Sequence, residues 1–216
     1  MPDSDPKEEE QQEEEPLDQA LLGLQFGEEE KLRTIGLFGE VNAARTEEVV
    51  FSLHALNLTK TKKVPVDCDD LDKGFKEEIK GAEFLISTAG GDACDMFAIY
   101  DTIRYLRDGM EIETFGLGKV MSAGVLLLAC GTKGKRKIGR NTRVMIHEVA
   151  SGTQGSISNL KVEMTEIKRI QEMYIDALTK ETNLTKAQLK RMMAKNVNVY
   201  LSAEEAVIHG IADIIV

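Results

Sequence analysis

The sequence predicts an α/β domain whose strands pair mainly in parallel. Three observations carry that expectation. Strand-like and helix-like stretches alternate from residue 34 to the C-terminus, the rhythm of a parallel sheet with helical crossovers. Glycines mark the tight strand-to-helix turn at AGGD (89–92). The chain has 216 residues, 42% hydrophobic and 30% charged, which suits one large core rather than two independent ones.

Residues 1–30 are glutamate-rich and low in complexity, with one short apolar patch, ALLGLQF, and are expected to form a disordered acidic tail. Residues 31–216 are expected to form a single domain. TIGLFGE (34–40) is a strand ending in a glycine turn, and NAARTEEVVFSLHALNL (42–58) has Val49, Leu53 and Leu56 at helical spacing. Residues 59–81 are polar, hold a proline and several aspartates, and read as a surface excursion with a helical end. EFLIST (83–88) is a buried strand. In the segment after the glycine turn, Phe97, Ile99, Ile103 and Leu106 recur every three or four residues, as in a helix.

IETFGLG (112–118) is the next strand, and VMSAGVLLLAC (120–130) reads as a short buried helix. TRVMIHE (142–148) is a further strand. A glycine-bearing loop, ASGTQGS, then leads to the longest helix, near 156–180. Its stripe of Leu160, Met164, Ile167, Tyr174 and Leu178, flanked by Ile170, Met173 and Ala177, is wide enough to be buried against more than one neighbour. Thr185 with Gln188, and Ser202 with Glu205, have capping-box spacing and should start two more helices. The chain closes on a strand, IADIIV.

Charge and cysteine usage exclude several classes. Net charge is −10, but the first thirty residues carry much of the excess, so the acidity describes a tail. KGKRKIGR (133–140) is a short basic run that suits a turn followed by a strand edge, so no nucleic-acid partner is expected. The longest apolar run, Val120 to Cys130, is about half of what a membrane helix needs. The acidic N-terminus is unlike a basic signal or transit peptide, and a soluble, cytoplasmic protein is expected. Cys68, Cys94 and Cys130 are odd in number and lack metal-ligand spacing, which points to reduced cysteines used for packing, with no disulfide framework or zinc site.

Three places carry candidate chemistry. Gly90 and Gly91 bring backbone N–H groups to a strand-to-helix turn, which suits an oxyanion or phosphate and equally suits a tight turn. Ser122 stands before an apolar run, either as a helix cap or as a nucleophile; VMSAG lacks the first glycine of the G-x-S-x-G elbow. Of the histidines, His54 falls on a surface helix and His209 at a helix end beside Gly210, where the helix dipole favours it. His147 ends an apolar strand before a loop, where an imidazole can project into a cleft or sit satisfied in the core.

Taken together, these segments resemble the proteolytic subunit of the Clp protease, the ClpP family, over most of residues 31–216. AGGDACDMFAIYDTIRYL is similar to the family's glycine pair and following helix, and MSAG to its nucleophile turn. GTKGKRKIGRNTRVMIHE is similar to the segment leading to its histidine; QGS and YLSAEEAVIHGIAD are similar to its handle loop and C-terminal segment. The resemblance implies a ClpP/crotonase-like ββα superhelix with a protruding helical handle near 156–180. It implies Ser122 as nucleophile, His147 as general base and the N–H groups of Gly91 and Ala123 as the oxyanion hole. That reading aims the Ser122 hydroxyl outward from the helix start and turns the next residue's N–H toward the developing charge. It further implies stacked heptameric rings, polypeptide substrates, chemistry that needs no metal or cofactor, and an AAA+ unfoldase partner that uses the ATP.

The chain departs from the family pattern at several positions. Where the family carries the triad aspartate, NVNVYLSAEEA has Asn198, whose amide oxygen can hold the imidazole but adds no negative charge. A slow or conditional peptidase is the expected consequence. STAGG replaces S-P-G-G and HEV replaces H-Q-P, and Glu148 is expected to point to the face opposite His147 as a solvated or paired carboxylate. The acidic N-terminus is unlike the segment that meets the unfoldase. Two further readings stand beside the peptidase: a catalytically weak structural subunit of a mixed ring, and a crotonase-like acyl-CoA enzyme that would not need the Ser122 and His147 pair.

Overall fold

The computed structural model describes residues 32–68, 70–194 and 197–216; the stretch 1–30, expected to be a tail, lies outside the described residues. The chain divides into two units, Met1–Leu32 and Arg33–Val216. In the second, a seven-stranded sheet runs in the order β1 (Thr34–Val41), β4 (Ala82–Gly91), β5 (Ile112–Met121), β6 (Arg136–Ile138) and β9 (Ile214–Ile215). All four neighbouring pairs along that path are parallel. A further strand, β7 (Arg143–Ile146), joins the second half of β5 in parallel, and β8 (Val199–Leu201) runs antiparallel to β7. The expected mainly parallel α/β architecture is what forms, and β8 is the exception within this sheet.

Helices fill the connections because their ends and faces are locally encoded. In α1 (Ala43–Leu58) the Asn42 side chain accepts from the Arg45 N–H, and Val49 and Leu53 are buried. In α2 (Ala93–Leu106) Asp92 accepts from the N–H groups of Cys94 and Asp95, and Met96, Ile99, Tyr100, Ile103 and Leu106 face the core. Every residue of α3 (Ala123–Ala129) is buried, as expected of a helix apolar all round. After α4 (Ile157–Glu181), both anticipated capping boxes form, at Thr185 for α5 (Lys186–Met193) and at Ser202 for α6 (Ala203–Ile208). The last helix stops because Gly210 adopts φ +70, with its N–H on Val207 and that of Ile211 on Ala206.

The excursion at 59–81 ends differently from expectation. It is an antiparallel hairpin, β2 (Thr61–Pro65) with β3 (Phe75–Ile79), around a short 3₁₀ turn at Leu71–Lys73. FKEEI therefore forms a strand rather than a helical end, because β2 supplies its hydrogen-bond partners and a local polar sequence does not choose between the two. Likewise Val120 and Met121 belong to β5 rather than to the following helix: the strand continues past Gly118 (φ +64) to pair with β7. An apolar run has no period that separates buried strand from buried helix.

Two ion-paired clusters lie beneath this frame. Glu181 is 1% exposed and accepts from Arg104, Arg107 and the Tyr100 hydroxyl. Arg136, 4% exposed, grips Asp213 and the carbonyls of Ala129, Glu181 and Gly210, which ties the C-terminal strand to the helices. Of the cysteines, Cys130 packs inside, whereas Cys68 and Cys94 are exposed, so packing explains one of the three. The wide stripe of α4 is buried only toward its C-terminal end, at Tyr174, Ile175, Ala177 and Leu178; Ile157, Val162 and Met164 remain exposed.

Candidate active site

Because β4, β5 and β7 run parallel, their C-terminal ends lie on one side of the sheet, where α/β proteins bind ligands. Gly90 and Gly91 end β4, Ser122 follows β5, and His147 follows β7. Register brings them close: Thr88 pairs with Val120, and Met121 with Met145.

The glycine pair is required by that proximity. A Cβ on Gly90, whose φ is +108, would lie 2.5 Å from the Cβ of Ser122, and one on Gly91 would lie 2.1 Å from the Val41 carbonyl oxygen. Ser122 has φ 53 and ψ −120, and among the described residues it is the only non-glycine with positive φ. Such a backbone costs roughly 1–3 kcal/mol and persists only where its surroundings hold it. Its N–H donates to the Met145 carbonyl at 2.8 Å, and its carbonyl accepts from the Val125 N–H at 3.0 Å and the Tyr174 hydroxyl at 2.8 Å. Burial raises the Tyr174 hydroxyl above its ordinary range, so it stays a donor. Although Ser122 stands at the N-cap of α3, its side chain makes no capping hydrogen bond. Ala123 is the first residue of α3, so its N–H has no partner within the helix.

Ser122, Ala123, Gly91 and His147 line one cleft of about 210 Å³. Met96, Ile167, Ile170 and Tyr174 contribute its apolar lining, and Asp92 and Glu148 also border it. Glu148 borders the same cleft and is exposed, two residues beyond the end of β7. His147 is half-buried.

Asn198 is not part of the cleft lining. It is exposed, directly before β8. The antiparallel ladder pairs Val144 with Leu201, Met145 with Tyr200 and Ile146 with Val199, so His147 and Asn198 each lie one residue beyond its last pair, at the same end. Among the described residues, no hydrogen bond involves the side chains of Ser122, His147 or Asn198. His54 is exposed on α1, and His209 caps the C-terminus of α6. Among the described residues no cluster of acidic, histidine and cysteine side chains could hold a metal, and no helix is long and apolar enough to cross a membrane.

Two residues at the site carried no sequence signal of their role. Tyr174 reads as one member of an apolar stripe, yet its hydroxyl reaches the Ser122 carbonyl. The Gln171 side chain accepts from the Val149 N–H at 2.7 Å, just past His147.

A strained serine at a strand-to-helix turn, in one cleft with a histidine beyond the neighbouring strand, defines an α/β protein whose candidate chemistry is gathered at its strand ends. The chain belongs to the Clp protease family, whose model matches residues 74–216. It is 38% identical over 129 residues to ATP-dependent Clp protease proteolytic subunit 1 of Corynebacterium glutamicum, covering 59% of this chain and 60% of that protein. It is 34% identical over 131 residues to the ATP-dependent Clp protease proteolytic subunit of Deinococcus radiodurans, covering 61% and 62%. Against ATP-dependent Clp protease proteolytic subunit 4 of Rhodococcus jostii it is 36% identical over 131 residues, covering 61% and 66%. The chain thus spans less than two thirds of the length of these relatives.

Proposed function

We propose that this chain is a serine endopeptidase subunit that cleaves peptides or unfolded polypeptides inside an oligomeric chamber. The observation that carries the reading is Ser122 itself, held in a strained backbone with no capping role, in a cleft with His147. His147 takes the hydroxyl proton as Ser122 Oγ attacks the scissile carbonyl carbon. The N–H groups of Gly91 and Ala123 stabilise the oxyanion of the tetrahedral intermediate. His147 then gives its proton to the leaving amine as the C–N bond breaks. Water, activated by the same imidazole, hydrolyses the acyl-enzyme and regenerates Ser122.

Asn198 orients His147 through its amide oxygen, a role supported by the β7–β8 register. It supplies no charge for the imidazolium, so turnover is slow or conditional. Catalytic hydrogen bonds are often loose without substrate, which is compatible with the lack of hydrogen bonds to these side chains among the described residues. The exposed apolar side chains of Ile157, Val162 and Met164 support assembly through α4, in stacked heptameric rings of a cytoplasmic particle. An AAA+ unfoldase uses the ATP and delivers substrates.

A second reading, a catalytically weak subunit that completes a mixed ring, is favoured by the exposure of Asn198. Hydrolysis of a short fluorogenic peptide by the purified protein, against Ser122→Ala prepared identically, separates the two. Turnover that vanishes in Ser122→Ala supports the peptidase; equal signals overturn it. The mass of the purified assembly tests the ring.

A further inference from the structure

One turn of α4 reaches both halves of the candidate site. Tyr174 donates its hydroxyl to the Ser122 carbonyl at 2.8 Å. Three residues earlier, on the same helix face, Gln171 accepts from the Val149 N–H at 2.7 Å, two residues beyond His147. We propose that Tyr174 and Gln171 are positioning residues, through which α4 holds the nucleophile turn and the base loop at a fixed spacing. The inference rests on the reading of Ser122 and His147 as the reacting pair.

The turn needs such a restraint. Ser122 has φ 53, which a non-glycine residue holds only when its surroundings compel it. Its carbonyl has one partner within its own helix, the Val125 N–H at 3.0 Å; the Tyr174 hydroxyl supplies the other from 52 residues away. Tyr174 is 4% exposed and its bond to Ser122 is part-buried, which limits competition from water. No described side chain other than Tyr174 bonds to the Ser122 backbone.

The second brace is itself anchored. The Gln171 amide nitrogen approaches Sδ of Met193 at 2.8 Å, at the end of α5, which leaves its oxygen directed at Val149. His147 lies beyond the last residue of β7, so sheet hydrogen bonds of that strand stop short of it. The Gln171 contact restrains the loop on its far side. Neither residue touches the reacting atoms; both act on the backbone that carries them.

The test uses the full chain and the variant Tyr174→Phe, which keeps the buried ring and removes one O–H group. We expect kcat for a fluorogenic peptide to fall about tenfold with KM within about twofold. Amide hydrogen exchange at residues 122–125 should quicken in the same variant. Gln171→Ala should lower kcat similarly, whereas Gln171→Glu, which keeps an acceptor for the Val149 N–H, should restore most of it. An unchanged kcat in Tyr174→Phe, or unchanged exchange at 122–125, overturns the brace. If the parent has no Ser122-dependent turnover, the peptidase reading fails separately, and the exchange measurement alone decides the Tyr174 contact.

Discussion

The N–H of Ser122 donates to the carbonyl of Met145 at 2.8 Å, which ties the end of β5 to the end of β7. The candidate nucleophile is thereby anchored two residues from the candidate base by sheet hydrogen bonding rather than by a free loop. A site built on strand ends in this way tolerates little change in the backbone beneath it.

Gly90→Ala tests that tolerance. The added Cβ would fall 2.5 Å from the Ser122 Cβ, and φ +108 is unfavourable for alanine. The variant should lose at least about tenfold in peptide hydrolysis and about 1–3 kcal/mol of stability. Denaturant unfolding alongside the peptide assay checks both. Parent-like values in each would mean that the turn is more plastic than its contacts imply.

Asn198→Asp tests the orienting position. The carboxylate would add the negative charge that the imidazolium lacks, from a residue that adjoins, like His147, the last β7–β8 pair. In a serine protease the reverse change costs about 10⁴ in turnover, so a gain of about tenfold or more is expected here. No gain in rate would count against Asn198 as the orienter.

Acid should weaken the clasp between Arg136 and Asp213. Burial alone would raise the Asp213 carboxyl, but hydrogen bonds from Arg136 and backbone N–H groups outweigh it and hold it below the ordinary value. A depressed folded pKa means that the stabilisation is complete above the unfolded value, about 3.9, and is lost as pH falls through the folded value. Thermal unfolding of the parent and Asp213→Asn, followed from pH 7 downward, should show a gap in Tm that closes below about pH 4. A gap that stays constant with pH would remove the charge from the explanation.

Glu181→Ala should be costly. The carboxylate is 1% exposed and compensates Arg107, 18% exposed at its side chain, together with the more exposed Arg104. Breaking a buried pair costs about 3–5 kcal/mol, and the exposure of Arg104 places the expectation near the lower end. Chemical denaturation reads it directly, and a loss under about 1 kcal/mol would show that solvent reaches the arginines freely.

Local signals determined much of this protein in advance. The capping residues Asn42, Asp92, Thr185 and Ser202 each precede a helix, since a short polar side chain there satisfies the first free N–H groups whatever the tertiary context. The glycines at 90 and 91, Ser122 and His147 stood out at turns between elements, and the resemblance to the family joined them. What local sequence could not encode was the choice of partner. Three residues of β8 have too little pattern to be read as a strand, and β3 becomes one because β2 lies beside it. Val120 and Met121 are strand rather than helix because β7 completes their hydrogen bonds. The apolar stripe of α4 has the same period where it is buried and where it is exposed, so only the structure separates Tyr174 from Met164. Tyr174 itself reads as packing until the chain is folded, because the carbonyl that its hydroxyl meets lies 52 residues away and a hydrogen bond has no sequence range.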